Sequence, residues 1–315
     1  MQSRFSRRDF ARLVGAGQLA AGIAGAAGMP MRPLGNTGAQ VSILGLGAQR
    51  LADRTPILEQ KVVDRMVGEL IDGGVNYFDV ARGYGESERL LGQALKGKRD
   101  KIFLTTKTRS GTREDALKEL HDSLRILQTD HVDCVHIHNI ARDDRYPDLE
   151  AAISDKGVLG GLVEAKRLGM TKHVGCTAHL RPPRVLPVFA TGHIEVFMCS
   201  TNFVERHIYN FEQKVLPEAK RRGIGVVAMK VLGGPTQQAN SRLTSPEDYQ
   251  ASLRYVWGLP ELSVAILGMR SVEEVRIALA AAKSYQPLTA AELGKVMDRG
   301  KVLAQEWGEL RGPVT

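Results

Sequence analysis

Eight short apolar runs limit what this chain can fold into. They fall at residues 43 to 47, 75 to 79, 102 to 106, 132 to 137, 172 to 176, 195 to 199, 225 to 229 and 263 to 267, without helical periodicity. Strands covered on both faces have this character. Between them lie segments such as TREDALKELHDSLRIL, in which Leu117, Leu120, Leu124 and Leu127 recur at spacings of three and four and so share one helical face. Gly73, Gly169 and Gly223 each follow such a segment, where a helix ends in a left-handed residue. Eight βα units close most naturally into a (β/α)8 TIM barrel. A doubly wound sheet would open its first helix with a GxGxxG turn, which LGLGAQR does not supply. The 315 residues suit one barrel rather than two domains. RPLGNTGAQVSILGLGA predicts an N-terminal β-hairpin around Asn36, Thr37 and Gly38, and an extra helix is expected from about residue 289. LGGPTQQANSRLTSP, residues 232 to 246, is a polar loop longer than a connection needs and a candidate to cover a ligand.

Residues 1–28 stand apart from the barrel, which takes 29–315. A basic start followed by an Ala/Gly-rich apolar run is how an export signal is built. Ser6, Arg7, Arg8, Asp9, Phe10 and Arg12 resemble a twin-arginine signal, which implies the twin-arginine export machinery as a partner and a periplasmic or other extracytoplasmic location. An ordinary amphipathic helix, with a cytoplasmic protein, is the alternative. Leu13 to Gly28, interrupted by Gln18, falls short of the roughly 20 apolar residues of a spanning helix, so no membrane span is expected in the mature protein. The net charge of +8 does not by itself indicate nucleic acid, since aromatics are only 5% and no long Lys/Arg block is present. It does suit an anionic small molecule. Cys134, Cys176 and Cys199 sit in apolar runs without CxxC spacing and read as buried free thiols, so no metal is expected from them.

In such a barrel the chemistry sits at the C-terminal strand ends. The second strand ends at Asp79, the third at Lys107 and the fourth at His138, while Tyr84 lies just beyond Asp79. Singly these are ordinary residues: a turn cap, a lysine reaching water, a satisfied histidine. Together they form a proton-transfer set. A phenol has an ordinary pKa of about 10, which a neighbouring ammonium lowers. Lys107 supplies that charge, Asp79 holds Lys107 protonated, and His138 either positions the substrate oxygen or shares the proton. Such a set protonates an oxygen while hydride adds to carbon, and because no side chain donates hydride, a nicotinamide cofactor is implied.

These residues carry a resemblance. FDVARGYGESERLLGQAL, IFLTTK, SLRILQTDHVDCVHIH, AKRLGMTKHVGCTAH, GIGVVAMKVLGG and SVAILGMRSVEEV are similar to successive segments of the aldo/keto reductases, in order and over nearly the whole chain after the leader. The resemblance implies a catalytic tetrad of Asp79, Tyr84, Lys107 and His138, with Tyr84 as general acid in the reduction of a small-molecule carbonyl. It also implies NADPH, or NADH, extended across the barrel mouth. Gly47, Ala48, Asp79, Thr177, Met198, Met229, Lys230, Leu232, Gly233, Gly268, Arg270, Ser271 and Glu274 are its expected contacts. Thr177 and Ala178 stand where the family has a Ser-Asn pair for the carboxamide, Met198 where it has glutamine, and Met229 where it has a ring-stacking aromatic. Lys230 and Leu232 to Gly234 fall near the pyrophosphate. GMRSVEEV places Gly268, Met269, Arg270 and Ser271 at a helix start suited to phosphate, which favours NADPH, and Glu274 within reach of the adenine.

Two rival readings have their own residues. His136 and His138 face the same way on one strand, a pattern that binds metal in barrel hydrolases, with His173 and His179 as conceivable further ligands. There the signature belongs to the first strand and here it is on the fourth, so His136 is expected beneath the active layer instead. The other rival is a cofactor-bound sensing or interaction subunit on the same barrel, like the potassium-channel β subunits of the family, against which the intact tetrad argues. Asn139, Arg142 and Arg145, following the tetrad histidine, predict a polar aldehyde or ketone as substrate.

Overall fold

The structure, a computed structural model, describes residues 28–234 and 243–315. The expected export signal and the middle of the loop from 232 to 246 lie outside the described residues. Strands β1 (Met31–Pro33) and β2 (Gln40–Ser42) pair antiparallel as a hairpin. Eight parallel strands follow: β3 (Leu44–Gly47), β4 (Tyr77–Asp79), β5 (Phe103–Thr108), β6 (Val132–Ile137), β7 (Thr171–Ala178), β8 (Val196–Ser200), β9 (Gly225–Met229) and β10 (Leu262–Leu267). They close in the order β10-β3-β4-β5-β6-β7-β8-β9, so the expected TIM barrel is present with every predicted strand. Boundaries move for local reasons. β4 starts at Tyr77 rather than residue 75 because the Val75 N–H is spent closing the preceding helix on Leu70 O.

That helix, Gln60–Asp72, also corrects a glycine assignment. Gly73 is right-handed (φ −74°), and the left-handed residue is Gly74 (φ +92°). Gly73 is needed for a different reason, since a Cβ there would lie 2.5 Å from Leu279 Cδ2. Gly169 and Gly223 do take positive φ, as expected. The TREDALKEL segment forms a helix over Arg113–Leu127, and Thr112 caps it by accepting from the Asp115 N–H (3.2 Å). Leu120, Leu124 and Leu127 of its apolar face are buried against the barrel.

Side-chain alternation sorts the strands into two cores. Phe78, Leu104, Val135, Val174 and Phe197 point outward and fill the layer between barrel and helices. Tyr77, Phe103, Cys134, Met198, Val227 and Val264 fill the barrel interior. Leu34 and Val41 of the hairpin join this inner set, fully buried, so the hairpin plugs one end. The plugged end is where strands start: Leu34 packs on Gly225, Asn36 N donates to Gly223 O, and Arg32 reaches Leu262 O at 2.8 Å. With that end closed, the strand C-termini are left as the open mouth.

The last helix, Ala290–Trp307, starts in a capping box of Thr289 and Glu292, an arrangement that typically stabilises by ~1 kcal/mol. Arg299 ties it to Asp248 (2.5 and 2.7 Å), and Gly300 allows it to lie against the Phe203 carbonyl. Beyond it Arg311 forms a buried pair with Glu205 (2.5 and 2.7 Å). Among the described residues, no helix is long and apolar enough to cross a membrane.

Candidate active site

The mouth holds a cavity of about 670 Å³, whose wall includes Asp79, Tyr84 and His138. Lys107 is buried just beneath, and its ammonium has three acceptors. It donates to Asp79 Oδ2 (2.6 Å), to the Val80 carbonyl (2.9 Å) and to the Tyr84 hydroxyl (3.4 Å). Three donors matched by three acceptors describe a charged lysine. Burial opposes that charge, but Asp79 and then Tyr84 outweigh it and hold the pKa above its ordinary value. Thr105, the register partner of Asp79 on β5, donates to Asp79 Oδ1 (2.8 Å) and fixes the other carboxylate oxygen.

Tyr84 departs from expectation in one respect. Burial raises its pKa more than Lys107 lowers it, so the phenol lies above its ordinary value rather than below. Because Lys107 donates to it, the Tyr84 oxygen is an acceptor there, and among the described residues its own O–H has no protein acceptor. The His138 ring meets the Tyr84 ring edge-on at 5.7 Å between centroids. Arg109 Nε donates to His138 Nδ1 (3.3 Å). A guanidinium can only donate, so Nδ1 is the bare nitrogen and the ring proton belongs on Nε2. Burial, then Lys107, Arg109 and Arg145, hold His138 well below its ordinary pKa, so the imidazole is neutral.

His136 is one inward position below. It is fully buried, and burial with the Lys107 charge lowers its pKa to about 3. Gly175 opposite leaves room for its ring. This is the layer beneath the site expected for it, and among the described residues no three His, Cys, Asp or Glu side chains gather as a metal site.

The other predicted contacts divide. Gly47, Met229, Lys230, Leu232, Gly233, Gly234 and Gly268 line the cavity. Ala48, Thr177 and Met198 are fully buried and are not part of its wall, and the Thr177 hydroxyl accepts from Asn139 N (2.8 Å). Arg270, Ser271 and Glu274 are engaged with protein. Arg270 donates to Arg50 O (2.7 Å) and Asp53 Oδ1 (2.9 Å), its N–H donates to Glu274 Oε2 (2.7 Å), and Ser271 Oγ caps Glu274 N. The expected phosphate donors at this helix start are therefore taken up inside the chain.

Lys230 is placed otherwise. It adopts left-handed backbone (φ +58°), held by Asn202 Nδ2 and Gly233 N, both donating to its carbonyl. Such a conformation costs a residue with a Cβ roughly 1–2 kcal/mol and concentrates at functional sites. Among the described residues its ammonium has no partner, and burial and the Arg311 charge lower its pKa to about 8. A cation held on the cavity wall without a counterion suits a phosphate.

Comparison with known proteins supplies the family. The model of the aldo/keto reductase family matches residues 43–251. The chain belongs to the aldo/keto reductase family. An L-galactose dehydrogenase of Arabidopsis thaliana is 29% identical over 294 residues, covering 82% of this chain and 89% of that protein. A methylglyoxal reductase of Salmonella typhi is 27% identical over 197 residues, covering 61% of this chain and 67% of that protein. Among solved structures, the holo form of an aldo-keto reductase from Bacillus halodurans superposes with a TM-score of 0.68 at 23% identity, covering 86% of this chain and 96% of that one, which establishes likeness of fold. Family membership and these oxidoreductase relatives make the protein an NAD(P)H-dependent oxidoreductase.

Several residues of this site escaped the reading of the sequence, among them Arg50, Arg54 and Ile266 of the wall, and Arg109 with its neighbour Gly83. Arg109 follows Lys107 by two positions and reaches back to His138, and Gly83 makes room for it: a Cβ there would lie 2.5 Å from Arg109 Cζ. The available signal was position alone, a cation just beyond the C-terminal end of a barrel strand.

Proposed function

We propose that this reductase converts a polar aldehyde or ketone to its alcohol with NADPH, NADH being the weaker cofactor, and that Tyr84 is the general acid. The observation that carries the reading is the Lys107 ammonium bound at once to Asp79 and Tyr84, with His138 alongside. The nicotinamide, when bound, supplies hydride to the carbonyl carbon. The chain does the rest. His138 Nε2–H and the Tyr84 O–H both donate toward the carbonyl oxygen, orienting it and polarising C=O. As charge develops on that oxygen, Tyr84 gives up its proton, and Lys107 stabilises the phenolate left behind. Asp79 keeps Lys107 charged and in place. A phenol raised by burial favours this direction of reaction, because it stays protonated until the moment of transfer.

Lys230, with the amides of Gly233 and Gly234, would hold the pyrophosphate, and Met229 with Ile266 would pack against the nicotinamide ring through apolar atoms. NADPH is preferred on charge: Arg50 and Arg54 line the cavity beside Asp53, and the excess of cations there suits a third phosphate. The test is fluorescence titration of the protein with NADPH and NADH beside turnover of a carbonyl panel. Tyr84→Phe is expected to lower kcat by on the order of 10²–10⁴ with cofactor affinity preserved. Quenching by neither cofactor would refute the reading, and undiminished turnover by the variant would refute the role of Tyr84. We further propose that residues 1–28 direct export by the twin-arginine route, on the strength of the Arg7-Arg8 pair and the apolar run after it. Arg7→Lys with Arg8→Lys should abolish extracytoplasmic accumulation, and unchanged fractionation would refute it.

A further inference from the structure

Cations around the cavity mouth mostly have carboxylate partners. Arg142 pairs with Asp144, Arg181 with Asp143, and Arg270 with Asp53. Arg109 and Arg145 do not. Both line the cavity, and among the described residues neither guanidinium lies within ion-pair distance of an acid. Glu119 is near Arg109 in the chain fold but is taken by the Thr108 and Ser110 hydroxyls and by the Arg109 N–H rather than its side chain. The segment 235–242, PTQQANSR, contains no Asp or Glu.

The two guanidiniums flank one residue. Arg109 Nε donates to His138 Nδ1 at 3.3 Å, and Arg145 Nη1 donates to the His138 carbonyl at 3.0 Å. Each uses one donor this way and keeps the rest of its fork, a geometry matched to a carboxylate. Two like charges held beside one another on a half-sheltered wall repel, and each depresses the ionisation of its surroundings: Arg145 lies below its ordinary pKa through burial and then the Arg109 charge. An arrangement of that kind is relieved by an anion between them. Strand order keeps this wall apart from Lys230. Arg109 follows β5 and Arg145 follows β6, whereas Lys230 follows β9, separated from β5 by β4, β3 and β10 and from β6 by β7 and β8. A phosphate held at Lys230 therefore does not occupy the arginine pair.

We infer that Arg109 and Arg145 form a carboxylate clamp beside the reacting centre, and that the substrates are carbonyl compounds bearing a carboxylate within one or two carbons of the C=O, the 2-oxo acids and their close relatives. The spacing follows from His138 itself. On the reductase reading Nε2 meets the carbonyl oxygen, and Nδ1 of the same ring touches Arg109, so one imidazole ring separates the clamp from the reacting oxygen. Arg109 is also a positioning residue, because its contact fixes which His138 nitrogen carries the proton. The inference rests on the reductase reading above and narrows it from polar carbonyls to acidic ones.

The experiment compares pyruvate with methyl pyruvate, which differ in the charge next to the ketone, for the wild-type protein, Arg145→Gln, Arg109→Gln and Arg109→Lys. Intrinsic reactivity favours the ester, so the quantity read is the change in the acid-to-ester ratio of kcat/KM between variants. Each glutamine variant is expected to lower that ratio on the order of 10- to 100-fold, mainly through KM for pyruvate, the range of a charge-assisted hydrogen bond. Arg109→Lys should recover part of the loss. Arg109→Gln should lower ester turnover as well, by releasing His138. An unchanged ratio in both glutamine variants overturns the clamp. Calorimetric titration with oxamate against neutral oxamide, with NADP⁺ present, separates this inference from the reading beneath it. If no carbonyl is reduced but oxamate binds and Arg145→Gln abolishes the binding, the clamp stands and the reductase assignment falls. If no carbonyl is reduced and oxamate does not bind, both fall.

Discussion

Replacing Lys107 by methionine tests the electrostatic core of the site. In the wild-type protein the ammonium is almost fully buried, with a side-chain exposure of 1%, and the partner carboxylate at 2.6 Å is 3% exposed. Methionine fills a similar volume but leaves Asp79 facing an apolar group. Breaking a buried pair by removing one partner typically costs ~3–5 kcal/mol, because the remaining charge is stranded. For a domain of this size roughly 2–3 °C of melting temperature accompanies each kcal/mol, so a drop of roughly 6–15 °C is expected near neutral pH. The sign with pH is specific. Burial pushes the Asp79 carboxyl up, and with Lys107 removed only Thr105 and, at a distance, Lys230 oppose it. A carboxyl whose folded pKa is raised contributes stability below its unfolded pKa and loses it as pH rises through the folded one. The penalty of Lys107→Met should therefore be largest at neutral pH and fade as pH is lowered toward the ordinary Asp value of 3.8. Differential scanning fluorimetry across that range reads it, and Lys107→Met with Asp79→Asn should recover much of the lost stability at neutral pH. A penalty below about 1 kcal/mol, or one equally large in acid and at neutrality, would refute the charged-pair argument.

Three further outcomes follow from the same geometry. Because burial keeps Tyr84 protonated beyond its ordinary pKa of 10.0, reduction should stay flat through the neutral range while alcohol oxidation climbs into strong alkali; because His138 is held well below 6.5, neither profile should break near that value, and a break there would mean a titrating imidazole. Gly83→Ala should push the Arg109 guanidinium off His138, lowering kcat/KM on the order of tenfold without a comparable loss of stability, and wild-type kinetics in this variant would remove Arg109 from the site. Arg311→Met should strand the buried Glu205 carboxylate, which Asn202 Nδ2 also contacts at 2.9 Å, and cost on the order of 3–5 kcal/mol in chemical denaturation; a cost under about 1 kcal/mol would mean that the C-terminal segment is not anchored by this pair.

The strand ends were readable because a buried parallel strand is a short run of apolar residues that stops at the polar residues around the barrel mouth. Asp79, Lys107 and His138 each mark such a stop, and counting eight runs was enough for the barrel. Glycine roles were harder, since Gly73 and Gly74 are neighbours and only the closing turn decides which is left-handed and which is excluded from a side chain by Leu279.

What the linear sequence determined is therefore the periodic content: the number of strands, the apolar helix faces, and the identity of the polar residues at the C-terminal rim. Partnership belonged to the tertiary structure. Whether Arg270 meets a ligand or Asp53, whether burial or Lys107 governs the Tyr84 phenol, and which cations lack a counterion all depend on distances between residues far apart in the chain. Those distances enter Coulomb and desolvation energies steeply, and periodicity along the chain does not encode them.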